Sequence, residues 1–382
     1  MKKVTLLGST GSIGQNSLKV IESNSDKLEL FAIAANNNIE LLAKQARKFK
    51  CKYVVCNEKY KKELSRNLPP ATKILTGIEG MIEISTKKET NIVLCAVVGT
   101  AGLKPVFEAI KAKKDIALAS KEVLVMAGEI VMNEVKKNGV KMLPVDSEHN
   151  AIFQCLEGRK ETDVQKIILT ASGGAFRKNT IQEMNNATYK NALAHPTWNM
   201  GPKITIDCAT LMNKALEIVE AHWLFNMPAE KIDVVIHPQS IIHSMVEFID
   251  GTILAQMSIT DMKLPIQYAL LYPEKRRALE TLSLPQIGTL TFEAPDRKKY
   301  PSLNFAYESI QKGGTMPAVM NAANEIAVEK FRTDIIKLPK IWNIIEKTIA
   351  AHKTIKHPTL EQIIEADLWA RTKAVSKKII PV

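Results

Sequence analysis

Short apolar runs alternate with amphipathic segments along the first 145 residues of the chain. The first run is Val4–Leu7, the last is Val140–Val145, and segments with helical periodicity separate most of the runs between them. This alternation favours a parallel sheet with helices on both faces, because each helix returns the chain to start the next strand in the same direction. The sequence therefore predicts an α/β fold that begins with a parallel sheet.

A glycine-rich loop follows the first apolar run. Gly8, Gly11 and Gly14 have the spacing G-x-x-G-x-x-G and lead into a helical segment, where glycines let the backbone approach a pyrophosphate. A plain structural turn is the alternative. The second run ends at Asn36–Asn38, without the carboxylate that binds the ribose of NAD, so the sequence favours NADP. The Asn run also suits a turn with left-handed backbone.

Three carboxylates predict a metal site. Asp146 and Glu148 flank Ser147 where an apolar run gives way to a helical segment, and ligands bind at such strand ends. Glu217 lies on a later helix, three residues after Lys214 and on the same face. An all-oxygen donor set selects a hard cation such as Mg²⁺ or Mn²⁺. Helix capping by the first two carboxylates and an exposed Lys214–Glu217 ion pair are the alternatives.

Two further segments have features of anion sites. Thr170–Arg177 contains a Ser-Gly-Gly turn, whose backbone N–H groups suit a phosphate, although a flexible turn fits the same residues. His195–Gly201 holds one His and one Trp between Pro and Gly, as a hinged lid over a site would. From the residues alone, His195 and Trp198 are better read as structural. The same holds for His243, which lies on a β-rich run.

The chain divides into regions of different pattern. We expect a Rossmann-like cofactor-binding domain at residues 1–146, an α+β catalytic domain at 147–275, a linker at 276–300 and a helical bundle at 301–382. The catalytic domain contains β-rich runs that predict a small mixed sheet. Helices are predicted at Phe305–Lys312, Ala318–Phe331, Ile341–His352 and Leu360–Lys377.

Composition excludes several classes of protein. The net charge is +12, but no run of five or six basic residues occurs and aromatic residues are only 5%, which argues against a nucleic-acid groove. No apolar stretch is long enough to span a membrane. The five cysteines form no C-x-x-C pair, which argues against a disulfide framework or a thiolate zinc site. The first apolar run starts close to Met1, so we expect no leader segment and a cytoplasmic protein.

Taken together, these motifs resemble those of the 1-deoxy-D-xylulose 5-phosphate reductoisomerase family. The resemblance spans essentially the whole sequence, and the carboxylate and lid motifs together make it specific. The segments that carry it are GSTGSIG at Gly8–Gly14, SKE at Ser120–Glu122, LPVDSEHNAIFQ at Leu143–Gln154, SGGAFR at Ser172–Arg177, HPTWNMG at His195–Gly201, MNKALE at Met212–Glu217 and HPQSIIHSMVEF at His237–Phe248.

The resemblance implies a homodimeric enzyme that isomerises and reduces 1-deoxy-D-xylulose 5-phosphate to 2-C-methyl-D-erythritol 4-phosphate, in the non-mevalonate isoprenoid pathway. The implied cofactors are NADPH and a divalent metal (Mg²⁺, Mn²⁺ or Co²⁺). The implied metal ligands are Asp146, Glu148 and Glu217, and the implied catalytic residues are Glu148, Lys121 and His195. The implied substrate-binding residues are Lys121, Ser147, Glu148, Ser172, His195, Trp198, Cys208, Asn213, Lys214 and Glu217. The implied cofactor-binding residues are Thr10, Gly11, Ser12, Ile13, Asn36, Asn37, Asn38, Ser120, Glu122 and Gly201.

The sequence departs from the family pattern at four of these positions. Cys208 stands where a phosphate-binding Ser is usual, and a thiol is a weaker hydrogen-bond donor than a hydroxyl. Asn36 and Asn37 replace a Gly and a basic residue, and Ser120 replaces an Asn.

Two other functions remain open from the residues alone. One is an NADP-dependent dehydrogenase of a phosphorylated small molecule that does no isomerisation. The other is a non-catalytic NADP-binding sensor with an acidic partner. The three carboxylates separate the isomerising enzyme from the dehydrogenase, because hydride transfer alone needs no metal. A shift with nucleic acid and no NADPH turnover would favour the sensor.

Overall fold

A computed structural model describes residues 1–198, 200–275 and 280–375 of the chain. These residues form two compact units, and the predicted boundaries at 146, 275 and 300 do not coincide with theirs. The three-domain division therefore stays a prediction. The described residues of the first unit fall within Met1–Val123, Val131–Asn150 and Asp261–Glu280, and those of the second within Leu124–Ile130, Ala151–Thr260 and Thr281–Val382.

The first unit contains the predicted parallel sheet. Its strands are β1 (Lys2–Leu7), β2 (Leu28–Ala34), β3 (Tyr53–Cys56), β4 (Lys73–Thr76), β5 (Ile92–Cys95), β6 (Asp115–Leu118) and β7 (Met142–Pro144). The helices along this part of the chain are α1 (Ser12–Ser23), α2 (Ile39–Lys48), α3 (Lys61–Ser65), α4 (Gly77–Thr86), α5 (Leu103–Lys111), α6 (Glu122–Asn138) and α7 (Ser147–Leu156). All seven strands are parallel and lie in the order β4-β3-β2-β1-β5-β6-β7. The predicted α/β class is confirmed.

The glycine loop begins where the strand order reverses, between β1 and β5. Ligands bind at this point in sheets of this type. Gly8 has φ +92°, and a Cβ there would lie 2.4 Å from the carbonyl oxygen of Ala96. A Cβ on Gly14 would lie 2.2 Å from the carbonyl oxygen of Gly8. Backbone therefore packs against backbone on both sides of the loop, and only glycine fits at either position.

The second unit contains a mixed sheet of four strands. They are β8 (Val164–Ala171), β9 (Ile232–Ile236), β10 (Ile242–Phe248) and β11 (Ile253–Met257). Their order is β11-β10-β8-β9; β8 and β9 are parallel, and β10 is antiparallel to both of its neighbours. The predicted small mixed sheet is confirmed, and β8 joins it as a central strand.

Helices complete the described chain. They are α8 (Ile181–Asn185), α9 (Tyr189–Ala192), α10 (Pro202–Ala209), α11 (Met212–Leu224), α12 (Lys263–Leu271), α13 (Leu284–Ile287), α14 (Ser302–Lys312), α15 (Met316–Arg332), α16 (Lys340–Ala351) and α17 (Leu360–Val375). Helix α12 belongs to the first unit. The four predicted C-terminal helices correspond to α14–α17, although residues 376 and 377 of the last prediction lie outside the described residues.

The C-terminal helices share one hydrophobic core with the central region. Ile218 on α11 belongs to the same buried cluster as Phe305 on α14, Met320 on α15 and Ile345 on α16. Within the predicted linker, residues 276–279 lie outside the described residues. Glu293 farther along forms an antiparallel bridge with the end of β9, so this part of the linker is tied to the mixed sheet.

None of the helices in the described part of the chain is both long enough and apolar enough to cross a membrane.

Candidate active site

The N-terminus of α1 is built to receive an anion. The helix begins at Ser12 after Gly11, and no side chain caps it. Gly11 and Ser12 are exposed, and Thr10 and Ile13 are half-buried. Helix N-termini carry partial positive charge and N–H groups that point outward. The structure thus brings four of the predicted cofactor residues together at one uncapped helix N-terminus.

The Asn run lies after β2, next to the glycine loop. The backbone N–H groups of Gly8 and Ser9 both donate to the carbonyl oxygen of Ala34, at the end of β2. Asn36, Asn37 and Asn38 are exposed. Of these, Asn38 caps α2 by accepting from the N–H of Leu41 at 3.2 Å, and Asn36 accepts from the amide of Asn57 at 3.1 Å. The run is therefore a turn and a helix cap, placed beside the glycine loop.

The segment Ser120–Glu122 leads into α6. The buried Ser120 hydroxyl hydrogen-bonds with the carbonyl oxygens of Cys95 and Val97, so it holds the end of β5 in place. Lys121 caps the helix, and Glu122 is its first residue. Ser120 thus supports the backbone that contacts Gly8, rather than presenting its hydroxyl to solvent.

Lys121 and Asp146 form a buried ion pair in the first unit. Burial alone would raise the pKa of the Asp146 carboxyl, but the Lys121 ammonium and His149 outweigh it and hold that pKa well below its usual range. Next to this pair, the Ser147 hydroxyl donates to Oε2 of Glu148 at 2.6 Å. Asp146 is therefore ionised at neutral pH, as a metal ligand must be.

Asn213, Lys214 and Glu217 form a buried cluster on the first turns of α11. The Asn213 amide and the Lys214 ammonium both bond to the Glu217 carboxylate, one to each oxygen. Lys214 is 3% exposed and Glu217 is 1% exposed. The alternative of an ordinary exposed ion pair is therefore wrong. Buried charges of this kind cost desolvation energy, so they are more often retained for function than for stability.

The Ser-Gly-Gly turn follows β8, and its serine is held by two donors. His195 Nδ1 accepts from the backbone N–H groups of Thr197 and Trp198, at 3.3 and 3.0 Å. The ring proton is therefore on Nε2, which donates to the Ser172 hydroxyl at 2.9 Å. The N–H of Gly174 also donates to this hydroxyl. Both lone pairs of Ser172 Oγ are then used, so its remaining hydrogen-bonding capacity is that of a donor.

Burial lowers the pKa of His195 below its ordinary value. The neutral ring is the form that accepts two N–H groups, so the low pKa and the hydrogen bonds agree. The two predicted substrate residues Ser172 and His195 thus lie in direct contact, which the sequence did not reveal.

The predicted lid lies over the loop that precedes β10. The Thr197 hydroxyl is 3.3 Å from the Ser240 hydroxyl, and the rings of Trp198 and His243 lie 6.3 Å apart and tilted. Asn199 lies outside the described residues. Gly201, also predicted to bind cofactor, is exposed and caps α10. His243 is buried on β10, in agreement with its structural interpretation.

Cys208 lies at the end of α10, against the Ser-Gly-Gly turn. Gly174 has φ +66°, and a Cβ on it would lie 2.3 Å from the carbonyl oxygen of Cys208. The thiol is half-buried and forms no disulfide. The turn after β8 and the turn before α11 are therefore close neighbours, and Gly174 is the residue that allows this.

His237 has a supporting role that the sequence did not indicate. Its Nε2 accepts from the N–H groups of Ile241 and Ile242, both at 3.2 Å, and its Nδ1 donates to the carbonyl oxygen of Thr291 at 3.0 Å. The buried ring thus fixes the loop on which Ser240 lies. The motif HPQSIIHSMVEF contains this residue, but only the folded backbone shows which groups it bonds.

Comparison with known proteins agrees with these features. Models described as 1-deoxy-D-xylulose 5-phosphate reductoisomerase, its C-terminal domain, and DXP reductoisomerase C-terminal domain match residues 4–128, 142–225 and 257–373. The 1-deoxy-D-xylulose 5-phosphate reductoisomerase 1 of Bacillus thuringiensis subsp. konkukian is 50% identical, with 98% of each chain covered. That of Chlorobaculum tepidum is 49% identical, with 98% of this chain and 99% of the relative covered.

Solved structures give the same result. The Zymomonas mobilis enzyme in complex with NADPH has a TM-score of 0.92 and 41% identity, with 98% of each chain covered. A reductoisomerase in complex with NADPH, fosmidomycin and magnesium has a TM-score of 0.92 and 40% identity, with 98% of this chain and 97% of the other covered. The chain therefore belongs to the 1-deoxy-D-xylulose 5-phosphate reductoisomerase family.

Proposed function

We propose that the chain converts 1-deoxy-D-xylulose 5-phosphate to 2-C-methyl-D-erythritol 4-phosphate, with NADPH and a divalent metal, in the non-mevalonate isoprenoid pathway. The observation that carries this proposal is the Asp146 carboxyl, whose side chain is 10% exposed and whose pKa is held well below its usual range beside Glu148. A dehydrogenase that only transfers hydride has no need of an ionised, largely covered carboxylate at this position. Family membership supports the same reaction.

The carboxylates Asp146, Glu148 and Glu217 fit a hard divalent cation. The set offers only oxygen atoms, which Mg²⁺ and Mn²⁺ prefer, and it contains no thiolate that would favour a softer metal. When bound, the metal stabilises negative charge on the substrate oxygens and NADPH supplies the hydride. For the nucleotide, we assign Thr10–Ile13 to its phosphates and the Asn run to its ribose.

We assign the substrate phosphate to Ser172, Cys208, Asn213 and Lys214. The Ser172 hydroxyl is left as a donor because His195 and Gly174 use the lone pairs of its oxygen. Lys214 adds a buried positive charge and Asn213 an amide donor. A phosphate bound here is remote from the reacting carbons, so its binding energy is available for closing the lid.

Lys121, Glu148 and His195 complete the proposed machinery. Lys121 and Glu148 are the groups able to move a proton or stabilise charge during the rearrangement. His195 is neutral and holds the Ser172 hydroxyl. Trp198 closes over the substrate and excludes water, so that the aldehyde intermediate is reduced before it escapes.

We further propose a cytoplasmic homodimer. Strand β11 lies at the edge of the mixed sheet and its sequence ILAQM has no charged residue, whereas edges that face solvent usually carry a charge or a proline. Ile253 on this strand is 50% exposed and the nearby Ile249 is 66% exposed. These features support a second copy of the chain against this edge.

The dimer is tested by Ile253→Lys. We expect this variant to have the mass of a single chain and the wild type the mass of two, because a charge at the edge opposes apolar contact between copies. Light scattering after size exclusion measures both masses. Ile335→Lys, at a site that is 68% exposed, is the control and should keep the dimer. A wild type with the mass of one chain would contradict the proposal.

The metal assignment is tested by Glu217→Gln. We expect the rate of NADPH oxidation with substrate and Mg²⁺ or Mn²⁺ to fall about 100-fold or more. The reason is that a bound metal stabilises negative charge in the transition state by several kcal/mol, and this variant loses one of its ligands. NADPH affinity, followed by its fluorescence, should change less than about twofold.

The control for this variant is Glu308→Gln, an exposed partner of Lys312, which should leave both quantities unchanged. Equal losses of turnover and NADPH affinity in Glu217→Gln would refute the assignment of Glu217. A folded wild-type protein that oxidises no NADPH with either metal would refute the proposed reaction.

The role of Cys208 is tested by Cys208→Ser. A hydroxyl is the better donor, so we expect the KM for the sugar phosphate to fall by about two- to tenfold or to stay unchanged. Cys208→Ala, which has no donor, is the matched variant and should not lower KM. A large rise in KM for Cys208→Ser would show that the thiol has another role.

The state of His195 predicts a pH dependence. Its pKa is lowered in the fold, so its bonds to the lid turn are complete above the ordinary pKa of about 6.5. They are lost as pH falls through the lower, folded value, because protonated Nδ1 accepts no N–H group. We expect the KM for the sugar phosphate to rise as the pH falls below about 6.5, and to stay unchanged above it.

Two substitutions separate the functions of the two ring nitrogens. His195→Asn places an acceptor near Nδ1, and His195→Gln places a donor near Nε2. In the Asn variant we expect no rise in KM from ring protonation at acid pH, because the imidazole is gone. In the Gln variant we expect a high KM at every pH, because no acceptor holds the lid turn. The substrate phosphate titrates equally in all three proteins, so only the differences count. An identical acid rise in the wild type and the Asn variant would contradict the assigned tautomer.

A further inference from the structure

The turn Asp207–Leu211 comprises the end of α10 and the two residues that join it to α11. It contains the proposed phosphate ligand Cys208 and precedes Asn213 and Lys214. Leu211 has φ +55°, a left-handed conformation, and it is the cap of α11. For a residue with a branched side chain this conformation costs about 1 kcal/mol or more, and it persists only where the surroundings hold it. Within the turn, the Leu211 N–H donates to the carbonyl oxygen of Cys208 and the Thr210 hydroxyl to that of Asp207, both at 3.2 Å. Contacts from other helices add to these bonds.

The first support is a chain of two buried hydrogen bonds. The Ser302 hydroxyl donates to the carbonyl oxygen of Thr210 at 2.8 Å, and Trp342 Nε1–H donates to Ser302 Oγ at 2.7 Å. Ser302 and Thr210 are both fully buried. Because this carbonyl belongs to the planar peptide that joins Thr210 to Leu211, holding its direction constrains ψ of Thr210 and φ of Leu211 together.

The second support acts at the other end of the turn. The Asn324 amide on α15 donates to Oδ1 of Asp207 at 2.9 Å, and the Lys203 ammonium lies 2.8 Å from Oδ2. Asp207 and Asn324 are both buried. The C-terminal helices α14, α15 and α16 thus hold both ends of the turn, in addition to the hydrogen bonds within it.

We propose that Ser302, Trp342 and Asn324 are positioning residues for substrate phosphate binding. They hold the turn so that Cys208, on the turn, and Asn213 and Lys214, on the first turn of α11, converge on one anion. None of the three touches the substrate. The inference rests on the proposed phosphate site, and it assigns the C-terminal helices a part in substrate affinity rather than in cofactor binding.

Ser302→Ala tests the proposal, with Ser309→Ala as its matched control. Both serines are fully buried on α14, and both donate to a carbonyl; Ser309 bonds to Ala306 in its own helix at 2.9 Å. We expect Ser302→Ala to raise the KM for the sugar phosphate about five- to tenfold. This is the fold-change expected if the cost of leaving the Thr210 carbonyl without its donor appears as lost substrate affinity. The KM for NADPH should change less than about twofold, and Ser309→Ala should leave both constants unchanged.

Inorganic phosphate, as a competitive inhibitor, reports on the phosphate site alone. Its Ki should rise in Ser302→Ala by the same factor as the KM for the sugar phosphate. A purely structural role would lower the melting temperature of both serine variants and leave this Ki unchanged.

Trp342→Phe is the second variant, because it keeps an aromatic ring and removes only the N–H donor. It should raise the same KM and Ki by a smaller factor. The double variant with Ser302→Ala should equal Ser302→Ala alone, since both substitutions break one chain of bonds.

Two results would overturn the proposal, and they are distinguishable. If Lys214→Met raises the Ki of phosphate while Ser302→Ala behaves as Ser309→Ala does, the phosphate site is correct and the positioning role is wrong. If Lys214→Met leaves that Ki unchanged, the phosphate site is wrong and the inference fails with it.

Discussion

Compensation of buried charge is the constraint on which the site depends. Lys121 and Lys214 are both buried, and an ammonium in such a place needs a counterion. Each has a carboxylate, Asp146 for the first and Glu217 for the second. Removing one member of such a pair typically costs 3–5 kcal/mol, on the order of a large share of a domain's stability. The groups that we propose for the chemistry are therefore also groups that the fold cannot easily lose.

Close backbone contact is the second constraint. Gly8 and Gly14 bring the first loop against the end of β5 and against itself, and Gly174 brings the phosphate turn against Cys208. At each position the space for a side chain is already occupied by backbone atoms. Both of these turns thus depend on glycine for their geometry, and hydrogen bonds from polar groups then hold that geometry in place. Ser120 does this for the first loop, and Ser172 accepts from Gly174 in the second.

The sequence was informative where a local pattern determines the structure. Regular alternation predicted the parallel sheet, and amphipathic spacing predicted the four C-terminal helices. Strand β4 was not predicted, because Ile74 and Leu75 are its only apolar pair and it lies at the sheet edge. The burial of Lys214 and Glu217 was not predicted either, since spacing on a helix shows that two residues share a face and not what covers it. Contacts such as Ser302 to Thr210 join residues 92 positions apart, and no periodicity records them.

The positive charge of the chain illustrates the same limit. A net charge of +12 invites an anionic partner, yet the lysines assigned here to substrate are two buried residues with carboxylate partners. An exposed lysine attracts anions of every kind and is screened by salt, whereas a buried one acts at short range in a low dielectric. Specific recognition of one phosphate therefore depends on where Lys214 is placed by α11 and by the turn before it. The number of basic residues on the surface contributes little to that placement.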